Sequence, residues 1–107
     1  MPRVTVPVLQ LTRAGVTLTQ TTGDATNNHY VDNDGSTALI VENAGASSRV
    51  VTFHIVTKVD GFTVPPRTET LAAGEKQAFG PFPLAEYGGK LKIDVAHADL
   101  KLTAIRI

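Results

Sequence analysis

The chain has no cysteine and no tryptophan. Without cysteine, neither a disulfide framework nor thiol chemistry is available. Without tryptophan, the ring best suited to stacking on a sugar is missing. Neither sign of charge dominates: ten basic residues balance ten acidic ones. That balance removes the electrostatic pull toward nucleic acid or an anionic membrane surface. The interleaving of aromatic with basic residues that marks single-strand binders is also missing. Apolar runs are only a few residues long, far short of a membrane span. Met1-Pro2-Arg3-Val4 carries no apolar h-region, so no secretory signal is expected.

Reactive constellations are equally scarce. There is no Gly-x-Ser-x-Gly elbow and no phosphate-cradling glycine loop. The histidines are His29, His54 and His97, and none is spaced from another as zinc ligands usually are. His54 reads as a half-exposed strand residue on the face opposite Phe53. His97 and Asp99 read as punctuation of a tight turn. Glu69 and Glu75 fall on polar segments and read as solvated. The expectation is a protein that is not an enzyme and carries no cofactor or metal.

What is present is a period of two. In Lys90-Leu91-Lys92-Ile93-Asp94-Val95, polar and apolar residues alternate. Arg49 to Thr57 sets Val51, Phe53 and Ile55 against Thr52 and His54. Thr37 to Asn43 is apolar at Ala38, Leu39, Ile40 and Val41, which suits a strand covered on both sides. The expected core is Leu39, Val41, Val51, Phe53, Ile55, Leu91, Ile93 and Val95. Four of the aromatics are phenylalanine, which points to a core role for them. Asp60-Gly61 and Gly88-Gly89 read as two-residue hairpin turns. Asn43 to Ala46 and Ala72 to Glu75 read as slightly longer loops. In the last segment, Leu100, Leu102 and Ala104 share a face while Ile105 and Ile107 fall on the other. Either that strand is covered on both sides, or a bulge near Thr103 shifts its register.

Short strands with a turn signal at intervals of about 8 to 12 residues predict an all-β fold. The expected architecture is an antiparallel β-sandwich or barrel of about seven to eight strands, Ig-like or jelly-roll-like. At 107 residues, one domain over 1–107 is expected. Residues 1–30 would form an extended arm or edge strand plus a loop, with Gln20 to Asn28 the mobile part. Pro7 bars Val4 to Leu11 from a central strand. Its apolar stripe, Val4, Val6 and Val8, has two readings. It is either the first strand of its own domain or a segment that docks onto a neighbour.

In Asp32-Asn33-Asp34-Gly35, two carboxylates stand beside a glycine. A calcium loop needs oxygen ligands at alternate positions and a glutamate at the twelfth. With Gly35 as the sixth position, Tyr30 would be the first, and no glutamate stands at the twelfth. The turn reading, in which Asn and Asp bond their own backbone, fits better.

Several pieces, in this order, resemble a known group. They are Asn33-Asp34-Gly35-x-Thr37-x-Leu39-x-Val41-x-Asn43, Val59-Asp60-Gly61-Phe62, Arg67-Thr68 and Ala73-Gly74-Glu75. Phe79-Gly80-Pro81-Phe82-Pro83, Tyr87 and Ala104-Ile105-Arg106-Ile107 follow. Together they resemble small virion-associated proteins encoded among the head genes of tailed bacteriophages, particularly phages of actinobacteria. That group resembles head decoration or minor capsid proteins. The resemblance covers residues 30 to 107 and implies a capsid decoration or cement protein. It implies a virion location after assembly in the host cytoplasm, with the major capsid protein as partner and homo-oligomers as a further option. A head–tail connector, a tail component and an Ig-like binding or adhesion module are the competing expectations.

If Asp32 and Asp34 are turn residues, a chelator leaves the thermal midpoint unchanged, because no bound ion is stabilising the native state by mass action. A drop in melting temperature that calcium restores would decide for a metal site.

Overall fold

The computed structural model describes residues 2–106. The placement expected for Ile107, and the first residue Met1, lie outside them. In chain order the elements are β1 (Val4–Thr5), β2 (Val8–Gln10), β3 (Thr21–Thr22), β4 (His29–Asp32), β5 (Thr37–Asn43) and β6 (Arg49–Phe53). They continue with β7 (Lys58–Val59), β8 (Phe62–Thr63), β9 (Arg67–Leu71) and β10 (Lys76–Phe79). The helical turn α1 (Leu84–Tyr87), β11 (Lys90–Val95) and β12 (Leu100–Arg106) close the chain. The protein is therefore mostly β, as its period-two patterning predicts. Among the described residues no helix is long and apolar enough to cross a membrane.

One sheet runs β1-β4-β11-β6-β9 and the other β10-β5-β12-β2, with β3 pairing β12 beyond the end of β2. A two-stranded ribbon, β7-β8, stands apart from both. The sheets are not purely antiparallel, contrary to the sequence expectation. β1 lies parallel to β4, and β2 lies parallel to β12. Both exceptions come from one segment. Its first half joins an edge of one sheet, with Val4 N–H donating to Asn28 C=O and Val6 N–H to Tyr30 C=O, each at 2.9 Å. Pro7 has no N–H to offer a ladder, and the chain passes to the other sheet there. Leu11 N–H then donates to Arg106 C=O at 2.8 Å.

The inward rows of the two sheets form one apolar cluster. Leu39, Val41, Val51, Phe53, Leu91, Ile93 and Val95 are all buried in it, as their alternation predicts. Ile55 falls beyond the end of β6 and is only partly buried against the cluster. Three tilted or edge-on aromatic contacts run through the centre. Phe53 meets Phe79 at 5.2 Å and Phe82 at 5.5 Å between ring centroids, and Phe82 meets Tyr87 at 5.1 Å.

Three expectations need correction. β5 is not covered on both faces: Thr37, Leu39, Val41 and Asn43 are buried, while Ala38, Ile40 and Glu42 are half-buried. Its outer face is sheltered only in part, in a groove where Leu18 and Gln20 lie beside Ile40 and Thr103. Gly88-Gly89 does not turn a hairpin. Gly88, at φ 77°, ends α1 and leads into β11. Phe62 is outside the core, at 75% exposure. The phase break in β12 resolves without a bulge. Leu100 to Arg106 pair one-to-one with Asn43 to Thr37, and Thr103 is buried on the outer face.

Phe53→Ala should cost about 3–5 kcal/mol of unfolding free energy, the usual range for emptying a buried phenylalanine site. Urea unfolding measures this directly; an unchanged midpoint would place Phe53 outside the core.

Candidate functional site

The polar corners are arranged for structure. Asn33 and Asn43 bracket β5, and each is followed by a glycine two residues on. Asn33 Oδ1 accepts Gly35 N–H at 3.0 Å, and its Nδ2 donates to Phe82 C=O at 2.9 Å and Gly88 C=O at 3.0 Å. Asn43 repeats the device: Oδ1 accepts Gly45 N–H at 3.0 Å, and Nδ2 donates to Ser47 C=O at 2.7 Å and Leu71 C=O at 3.0 Å. Both asparagines are buried. Each one therefore closes a local turn and ties it to backbone distant in the chain, Asn33 through Phe82 and Gly88 and Asn43 through Leu71, giving those carbonyls a donor. A Cβ at Gly45 would overlap the Asp99 carboxylate, so a side chain there would have to push Asp99 aside.

The two carboxylates beside Asn33 point away from one another's work. Asp34 Oδ1 accepts Ser36 N–H at 2.9 Å and the Thr37 hydroxyl at 3.3 Å. Arg106 Nε lies 3.0 Å from Asp34 Oδ2, close enough for an ion pair but not aligned for a hydrogen bond. The Ser36 amide, and after it the Arg106 charge, hold the Asp34 carboxyl below the usual aspartate range. Asp32 instead meets Lys90, at 3.5 Å and largely in solvent. Among the described residues no three metal-ligating side chains are gathered together.

The histidines occupy three different settings. His54 Nε2 lies 2.8 Å from Asp94 Oδ2, and Arg3 Nη1 donates to Asp94 Oδ1 at 2.6 Å. Burial works to raise the Asp94 pKa, but the bonds from His54 and Arg3 outweigh it and hold the carboxyl low. His97 Nδ1 accepts Asp99 N–H at 3.0 Å in the turn between β11 and β12, and Arg49 donates to Asp99 Oδ2 at 3.2 Å. His29 is fully buried. A groove of about 480 Å³ lined by Gly35, Ser36, Thr37, Ala38, Gly80 and Pro81 contains none of these residues.

The residues expected to dock externally are divided by the fold. Val6 is 1% exposed and belongs to the core of its own domain, so it cannot serve a neighbour while in place. Val8 packs partly against that core, and Val4 is 37% exposed at the β1 edge. As Pro7 requires, both halves of the segment lie at sheet edges, but they complete the domain rather than extend from it.

The exposed apolar surface lies elsewhere. β7 and β8 form a tight hairpin in which Val59 pairs with Phe62 across Asp60-Gly61. Asp60 at φ 51° and Gly61 at φ 79° give the left-handed pair that a type I′ turn requires. Directly paired residues project on the same face. Val59 is 62% and Phe62 75% exposed. At the base, Val56 N–H donates to Glu86 C=O at 2.8 Å, and the Thr57 hydroxyl bonds Ala85 C=O. Val56 and Leu84, on either side of that base, are about half exposed. The ribbon is thus held on α1, which Phe82, Tyr87 and Asn33 fasten to the body. Sequence reading found the Asp60-Gly61 turn but assigned Phe62 inward. The only available clue was that a run as short as Lys58 to Thr63 cannot reach across a core.

No family model, curated protein or solved structure matches the chain.

Asn33→Ala should destabilise the protein by about 2–3 kcal/mol, because it strands the Phe82 carbonyl in a buried place and the Gly88 carbonyl in a partly buried one. Equilibrium unfolding checks it, and a loss below about 0.5 kcal/mol, typical of a surface change, would remove Asn33 from that role.

Proposed function

We propose that this protein is a bacteriophage virion structural protein, a capsid decoration protein that docks onto an assembled shell through the β7–β8 hairpin. The observation that carries the reading is Phe62, 75% exposed on a turn-locked ribbon and paired with exposed Val59. A solvent-facing phenylalanine does nothing for its own fold. It gains about 1.5–3 kcal/mol when a partner covers it. Aromatic anchors of this kind are what binding hot spots are made of. The net charge of zero favours docking by shape and apolar contact over long-range attraction. The sequence resemblance to head decoration proteins supplies the partner, the major capsid protein.

The finer architecture in this reading is a jelly-roll-like β-sandwich. From β4 to β6, and again from β9 to β12, the chain changes sheet at every strand, while β6 and β9 are neighbours in one sheet on either side of the ribbon. That alternation supports a jelly roll over an Ig-like arrangement.

The test is Phe62→Asp, alone and with Val59→Asp, scored by co-sedimentation with capsids that lack the protein. Affinity should fall roughly thirtyfold for an anchor worth about 2 kcal/mol. Thermal stability of the single variant should stay within about 0.5 kcal/mol, because the side chain is at the surface. Intact binding by the double variant would overturn the reading, as would a wild-type protein that never binds capsids.

A further inference from the structure

We propose that His29 is an acid-sensitive latch, whose neutral ring holds the N-terminal strand β1 and the loop 24–28 against β4 and whose protonation releases them. The hydrogen bonds assign the tautomer. Asp24 N–H donates to His29 Nε2 at 2.8 Å, so that nitrogen carries no proton. Nδ1 lies 3.2 Å from Val4 C=O, an acceptor only, so Nδ1 carries the proton and donates. One neutral ring thereby satisfies a loop amide on one side and a β1 carbonyl on the other. A second proton, on Nε2, would set two N–H donors face to face inside a fully buried site. The Asp24 amide would lose its acceptor, and the cation would be buried.

Besides the ring, Val6 anchors the segment from the core side at 1% exposure, and the remaining ties are few. β1 is two residues long: it pairs Val4 with His29 and Thr5 with Tyr30, and Val4 and Val6 amides donate to the Asn28 and Tyr30 carbonyls. The loop closes on Asp24, whose Oδ1 accepts Thr26 N–H at 2.9 Å and Asn27 N–H at 3.0 Å. Asn28 then returns to the sheet at φ 62°, its Oδ1 accepting Val95 N–H at 3.1 Å. The second tether is Arg3, which reaches His29 C=O, Ile93 C=O and Asp94.

The charges around the ring oppose one another. Asp24 favours the imidazolium and Arg3 disfavours it, while Asp94 on β11 pairs with Arg3 and His54. Burial is the largest influence and drives the His29 pKa below the ordinary histidine value. The sign follows. A released His29 titrates near its ordinary value, about 6.5. A latched one binds its proton less readily. Latching is therefore at full strength above that pH and weakens as pH falls below it, until the ring protonates in place.

The experiment is NMR on the intact protein between pH 7.5 and 5. It follows the His29 ring resonances and the exchange of the Asp24, Val4 and Val6 amides, corrected for intrinsic exchange rates. Val41 and Leu102, in the central β5–β12 pairing, serve as reference amides. Below pH 6.5 the protection at Asp24, Val4 and Val6 should fall by up to about tenfold per pH unit, one proton being taken up per opening, with the reference amides unchanged. His29→Gln, neutral at every pH, should abolish that dependence. Protection that is flat with pH, or that falls in parallel at Val41 and Leu102, would overturn the latch. So would a His29→Gln protein with the wild-type pH profile. If that variant does not fold, the wild-type profile alone decides.

Discussion

The junction of Phe53, Phe79, Phe82 and Tyr87 is the contact on which the rest depends. Phe53 comes from β6 in one sheet and Phe79 from β10 in the other, so their contact joins the two layers. Phe82 and Tyr87 come from the excursion between β10 and β11 and hold it on the body together with the Asn33 bonds. Arg67 of β9 completes the arrangement, its guanidinium 5.9 Å from the centroids of both Phe53 and Phe79. Aromatic pairs at these separations add to what burial alone contributes. Through α1, the same junction fixes the base of the exposed hairpin. The buried aromatic residues thus determine where the exposed one is displayed.

Asn33 and Asn43 solve a different problem. Chain that crosses from sheet to sheet leaves backbone carbonyls facing inward, and burial without partners is costly. Each asparagine donates two bonds to backbone carbonyls, both distant for Asn33 and one distant for Asn43, and accepts one from its own turn. That explains why the carboxylate-rich corner at Asp32 to Gly35 is organised around its one uncharged polar side chain, Asn33. The flanking aspartates take the solvent side, where ion pairs with Lys90 and Arg106 contribute little.

The edges of the sheets are managed unequally. The N-terminal segment closes one side of both sheets by changing partner at Pro7. At the other side, β9 and β10 remain unpaired outward, and they are short. Pro65-Pro66 precedes β9, Gly80-Pro81 follows β10, and Lys76 is exposed between them. Proline, brevity and lysine are the usual guards against edge-to-edge association. The hairpin, in contrast, presents the paired apolar side chains of Val59 and Phe62 to solvent.

Local chemistry determined a good deal by itself. Alternation along β6 and β11 gave the inward rows, because side chains on a strand must point to opposite faces. Asp60-Gly61 determined a hairpin, because both positions tolerate positive φ. Pro7 determined an edge, because it has no amide to donate. The remaining features belonged to the tertiary structure. Val4 to Leu11 reads as one strand, and only the two available edges decided that it serves both sheets in parallel. Phe62 has the same chemistry as Phe53. Its exposure follows from the hairpin standing off the sheets, a fact about distance from the core that no local pattern encodes. Gln20 to Asn28 reads as structureless because it is polar, yet Thr21–Thr22 pair with β12, and Asp24 and His29 bond the loop that follows through contacts invisible to periodicity. A buried histidine and a surface one are the same letter. Which partners surround it is settled only when residues far apart in the chain come together.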